Sequence, residues 1–299
     1  MTDPTFLINF LTALWFGAVG ACVGSFINVA AYRWPLGVSV VWRNSRCPRC
    51  GTAIRAWHNV PVLGWLLLRG RCYDCKAPIA PRYAIVEAVL GMSFVALAYG
   101  ELYCGGANLP EGPLTRSDDA LDMFLRPSWP LLWLTAAHAA LAGVLGCLAL
   151  LHYDRLAAPL PLAATGALLA LLVAAFLPEG FSRQPGAHLA SWRGDDGGAA
   201  WIPAIDGLVG AALGWGPLAW GWASGRRGAA ARSWWNAALG VGTVGGVLGV
   251  RGAAAALLAA AVCEGAAAWL PRRVAREASR WTWAVGGCAA LIVLLTRLA

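Results

Sequence analysis

Long apolar runs alternate with short polar, basic segments along this chain, and the runs set the architecture. The first, residues 7–31, is long enough to cross about 30 Å of hydrocarbon as a helix, and it is read as a retained span. Further runs at 83–99, 131–151, 157–177, 203–223, 235–250, 253–270 and 281–298 bring the expected number of spans to eight. The pattern predicts an all-α polytopic membrane protein.

Composition agrees with the pattern. Of 299 residues, 59% are hydrophobic and 13% charged, and the mean hydropathy of +0.60 lies far from a soluble domain, where about a quarter of residues carry charge. The formal net charge of +8 is better explained by loops retained in the cytoplasm than by nucleic acid, and the seventeen Trp suit membrane interfaces better than base stacking. With the N-terminus outside, the inside loops are 33–82, 152–156, 224–233 and 271–280, and they hold seventeen of the twenty-three Lys and Arg. The positive-inside rule therefore supports this orientation and predicts a cytoplasmic 33–82 loop.

That loop carries the sharpest chemical signal. Cys47-Pro-Arg-Cys50 and Cys72-Tyr-Asp-Cys75 are two Cys-x-x-Cys knuckles separated by twenty-one residues, a spacing that can supply four thiolates to one tetrahedral zinc ion. A reducing compartment favours metal over disulfides. Cys22, Cys104, Cys147, Cys263 and Cys288 sit in apolar or short polar surroundings and read as inert small hydrophobes. Between the knuckles, Trp57 to Gly70 is apolar but too short to span, so it lies along the headgroups or packs on the metal knob. With four thiolates available, His58 reads as a structural or hydrogen-bonding residue.

Small residues from Gly20 to Gly24 would let a second helix approach the first span closely. Ser25 and Asn28 share a helical face, where they could hold either another helix or a substrate backbone. Ionisable groups in spans are candidates for function: Glu87, Asp154, Asp206 and Glu264. Asp154, beside Arg155 and ahead of Pro159 and Pro161, reads by itself as a turn residue.

Together these residues carry a resemblance. Gly24-Ser25-Phe26-Ile27-Asn28-Val29, Tyr32-Arg33-Trp34-Pro35, the four cysteines around Trp57-His58-Asn59-Val60-Pro61, and Arg82-Tyr83 with Val86-Glu87 resemble the N-terminal region of prepilin peptidases, densely from about residue 20 to 91. The resemblance implies a first transmembrane helix (1–35), a zinc-binding loop (36–82) and a helical peptidase domain (83–299). It also implies a multi-pass protein of the bacterial inner membrane that cleaves leaders from type IV prepilins or type II secretion pseudopilins. Such enzymes then methylate the new terminus with S-adenosylmethionine. Asp154 followed by Leu160-Pro161 resembles the first catalytic aspartate motif.

The second motif departs from the family. Where a Gly-x-Gly-Asp sequence would open the sixth span, this chain reads Gly225-Arg226-Arg227-Gly228-Ala229-Ala230-Ala231-Arg232-Ser233-Trp234-Trp235-Asn236, without a carboxylate. Aspartyl hydrolysis needs two acids that share a proton. Three readings follow: a peptidase using another acid, a non-proteolytic member that keeps methyl transfer or substrate binding, and a scaffold or assembly partner docked through the zinc knob.

Overall fold

The computed structural model describes residues 4–42, 45–106, 119–154 and 156–158, with isolated positions between 162 and 244. Three helices within this part are long and apolar enough to cross a membrane, over Thr5–Leu36, Arg82–Tyr103 and Leu131–Tyr153. They coincide with the first three runs of the hydropathy pattern. The expected spans from 203 onward fall almost wholly outside the described residues, as do Asp206 and Glu264.

Helix α1 (Pro4–Arg33) ends in a 3-10 turn at Trp34–Leu36, with Gly37 at φ +65°. The Gly37 and Val38 N–H groups return to the carbonyls of Trp34 and Arg33 at 3.0 and 3.1 Å. This left-handed glycine satisfies the last helical carbonyls and turns the chain into the cysteine loop. A five-residue helix, α2 (Leu63–Leu67), lies within that loop. Helix α3 (Arg82–Leu97) continues without a break as a π-helical segment over Ala98–Tyr103. A short helix, α4 (Ala120–Leu125), is capped by the Asp119 carboxylate, which accepts from the Asp122 N–H at 2.7 Å. Helix α5 (Trp129–Tyr153) ends on Asp154.

Glycines permit the tight approach of α1 to α3. A Cβ at Gly24 would stand 2.7 Å from the Glu87 Cα, one at Gly20 would stand 2.5 Å from the Leu90 carbonyl oxygen, and one at Gly91 would stand 3.0 Å from the Gly17 carbonyl oxygen. In a bilayer, where lipid is as apolar as leucine, such backbone proximity is a main source of helix association. Helix α5 closes the group: Ile27, Ala31, Leu90, Leu131, Leu141, Cys147 and Leu151 form a common buried core. Farther along, Gly166 lies against Thr243, bringing together points on two later predicted spans.

This antiparallel arrangement gathers the end of α1, the start of α3 and the end of α5 at one face of the bundle. The cysteine loop hangs from that same face.

Candidate functional site

The loop is a pair of matching knuckles. In the first, the Cys47 N–H donates to the Thr52 carbonyl at 2.9 Å and the Gly51 N–H donates to the Cys47 carbonyl at 2.9 Å. In the second, Cys72 donates to Ala77 at 2.8 Å and Lys76 donates to Cys72 at 3.1 Å, the same pattern shifted by the knuckle spacing. Isolated bridges pair Arg46 with Ala53 and Arg71 with Pro78 in the same register. Equivalent positions also share a left-handed backbone, Gly51 at φ +73° and Lys76 at φ +57°. Lysine adopts that region at a cost. Its Nζ donates to the Tyr73 carbonyl at 2.7 Å, which ties it to its own turn.

The two hairpins bring the four Sγ atoms within 4.8 Å of one another, with Cys47 and Cys75 3.8 Å apart. A tetrahedron with Zn–S bonds of about 2.3 Å has an edge of about 3.8 Å, so the donor set fits a structural metal site. The thiols are electrostatically unequal. Hydrogen bonding from Thr52 lowers Cys50 to about 6, and backbone N–H groups of Cys75 and Asp74 lower Cys72. At Cys75 the Ala77 N–H also lowers the value, but burial and the neighbouring thiols together push it up to about 11. His58 is not among these ligands. Its ring stacks on Tyr73 at 4.9 Å, and Arg55 covers the Tyr73 ring at 4.3 Å.

Glu87 joins this knob to the bundle. Its Oε2 accepts from the Val62 N–H at 2.7 Å, while the Leu63 N–H reaches the Pro61 carbonyl at 2.6 Å. Val62 has φ +62° and ψ −55°, the rare hand of a γ-turn, which a β-branched residue resists. Glu87 is buried, and its carboxylate fixes this strained turn against α3.

Beside it, the buried Asn28 donates through Nδ2 to the Tyr83 carbonyl at 3.3 Å, linking α1 to the first turn of α3. Ser25 is half-buried on the same helix. Arg82, the first residue of α3, reaches across to the end of α5. Its two terminal nitrogens donate to the two Asp154 oxygens at 2.7 and 2.9 Å, a bidentate pair. The guanidinium also sits 5.7 and 5.8 Å from the Tyr83 and Tyr153 ring centres.

Arg82 is the functional residue that sequence reasoning left without a role. Its position at the head of a span, at the same membrane face as an isolated Asp154, was the available signal. A second omission lies at the opposite end of the bundle. Glu101 Oε1 and His138 Nδ1 are 2.6 Å apart, and both side chains are buried. Glu101 falls outside a span ended at 99, but the π-helical continuation carries it into the core.

Residues 18–100 match the family described as the Bacterial Peptidase A24 N-terminal domain. That range contains the cysteine quartet, Glu87, Asn28 and Arg82. Through this region the chain is similar to the prepilin peptidases. It is similar to a protein of Myxococcus xanthus named prepilin leader peptidase/N-methyltransferase, with 48% identity over 29% of this chain and 26% of the relative. Relatives of the same name from Stutzerimonas stutzeri and Pseudomonas aeruginosa are 36% and 35% identical, each over 39% of this chain and 50% of the relative. The matched part thus spans between a quarter and a half of these relatives. No solved structure matches the chain.

Proposed function

We propose that this chain is a prepilin leader peptidase/N-methyltransferase-type protein of the bacterial inner membrane. It engages type IV prepilins or type II secretion pseudopilins, and its own leader-cleaving chemistry is lost. The observation that carries this reading is the carboxylate-free stretch 225–236, set beside a region, 18–100, that matches the family and in which Arg82 holds Asp154.

Proteolysis of the aspartyl kind uses one carboxylate to take a proton from water and a protonated partner to polarise the carbonyl. A guanidinium serves neither role, because it has no acceptor and does not deprotonate in proteins. Paired as it is, Asp154 is an acceptor that cross-links α3 to α5. Glu87, the other acid carried by the described helices at this end, is committed to the Val62 N–H. The absence of a carboxylate from 225–236 points the same way.

In this reading Cys47, Cys50, Cys72 and Cys75 hold a structural zinc ion in a cytoplasmic knob. Zinc there fixes the two hairpins and does not take part in chemistry. Asn28 is committed to the contact between α1 and α3, and the half-buried Ser25 on the same helix is the candidate contact with a substrate backbone. A role for S-adenosylmethionine rests on the relatives' names, and the described residues form no glycine-rich cradle of the soluble methyltransferase kind.

Those names favour a second reading, a working peptidase in which Glu264 completes the pair with Asp154. Incubating the purified protein with a prepilin-type substrate in proteoliposomes separates the two. Retention of the leader together with co-purification of the substrate supports binding without cleavage. Leader release abolished by Asp154→Asn supports the peptidase. Labelled methyl transfer to a pre-cleaved pilin tests the remaining activity independently.

A further inference from the structure

The apolar run between the knuckles packs on the knob along only one side. Trp65 turns inward, and its Nε1 donates to the Ile79 carbonyl at 3.1 Å. Leu63, Leu66 and Leu67 turn outward, at 56%, 55% and 73% exposure. Such a patch on a five-residue helix needs a cover.

Its depth is fixed by the tether already described. Glu87 lies five residues into α3, about 7 to 8 Å along the helix from Arg82 at 1.5 Å per residue. Its bond to the Val62 N–H therefore holds the start of α2 at that level, beside a membrane-spanning helix rather than beyond its end. Asn28, five residues before the end of α1, pairs with Tyr83, one residue into α3, so α1 runs about 6 Å past the start of α3 and the turn at Val62 lies deeper still relative to the end of α1. This is the headgroup and upper acyl level, where amphipathic segments sit about 5–10 Å deep.

Charge identifies the lipid. Arg69 and Arg71 follow α2 directly and are exposed. Loop 33–82 holds nine basic residues and a single acid, Asp74, which faces Arg55 at 4.0 Å. The left-handed Arg69 and Gly70, at φ +50° and +66°, turn the chain directly after α2, so both exposed arginines fall within four residues of Leu67. We propose that α2 with Arg69 and Arg71 is a seat for anionic phospholipid, with leucines in the acyl region and guanidinium groups on headgroup phosphates.

Hydrogen exchange over residues 63–71 tests this. The full chain is compared in nanodiscs of phosphatidylcholine alone and of phosphatidylcholine mixed with phosphatidylglycerol. The expected result is exchange about tenfold slower with phosphatidylglycerol, a difference that shrinks with added salt. Arg69→Gln with Arg71→Gln removes the difference between bilayers, and Leu67→Asn speeds exchange in both. Equal rates for the unmodified protein in the two bilayers overturn the proposal and assign the patch to a protein cover. A difference that persists in the double arginine variant overturns it as well. The wild-type comparison decides the matter even if a variant loses its metal.

Discussion

Arg82 grips both oxygens of Asp154, at 2.7 and 2.9 Å, and so joins the first residue of one membrane-spanning helix to the cap of another. The pair is about three-quarters buried on both sides, which takes it out of the class of surface ion pairs worth little. Replacing Arg82 by Gln strands the carboxylate and is expected to destabilise the protein by about 1–3 kcal/mol. Arg82→Lys restores only part of this, because a point charge cannot reproduce the fork. Thermal unfolding in detergent, with Asp154→Asn to complete a double-mutant cycle, checks the coupling; additive effects would show that the two side chains act independently.

The Glu87 carboxylate holds a turn that Val62 resists. Glu87→Ala should loosen the knob from the bundle, seen as faster proteolysis between residues 55 and 70, whereas Glu87→Gln keeps an acceptor oxygen and has a smaller effect. Val62→Gly should recover part of the loss by relieving the left-handed backbone. If Glu87→Ala leaves the protease sensitivity unaltered, the tether does not position the knob.

The cysteine quartet predicts one tightly held zinc per chain. Any Cys→Ser change among Cys47, Cys50, Cys72 and Cys75 should lower the zinc content measured by atomic absorption. Protons compete with the metal for thiolates, so retention should weaken as pH falls. Cys50 lies below its usual thiol value, at about 6, so its thiolate persists to near that pH and the loss should steepen below it. Cys75, raised to about 11, gives up its proton only on metal binding at neutral pH, so zinc uptake should release acid. Zinc retention that is flat from pH 8 to 5 would contradict this assignment.

The Glu101–His138 contact is buried, with Glu101 Oε2 and His138 Nε2 lacking a hydrogen-bond partner among the described residues. Removing one partner leaves the other stranded, so His138→Leu is expected to cost about 3–5 kcal/mol. A double Glu101→Leu and His138→Leu variant should recover most of it. Unfolding midpoints of the single and double variants provide the check.

The first three spans were legible because each is a long apolar run, and hydropathy reads such runs directly. The knuckles were legible because metal geometry imposes a spacing. Glu101 was not, since the helix runs on through a π-helical turn past Tyr99 and Gly100, and hydropathy places no boundary there. The role of Arg82 was hidden for another reason. Its partner lies seventy-two residues away, and only the packing of α3 against α5 brings the two together. Val62 was equally invisible, because nothing in Pro61-Val62-Leu63 announces a left-handed valine.

The proposed function requires that substrate engagement survive without leader cleavage. Mass spectrometry of a prepilin-type substrate after incubation with the purified protein in proteoliposomes tests it most directly. The expected spectrum shows the intact leader on substrate that co-purifies with the protein, unaltered by Asp154→Asn. A cleaved product that vanishes in the Asp154→Asn variant would contradict it.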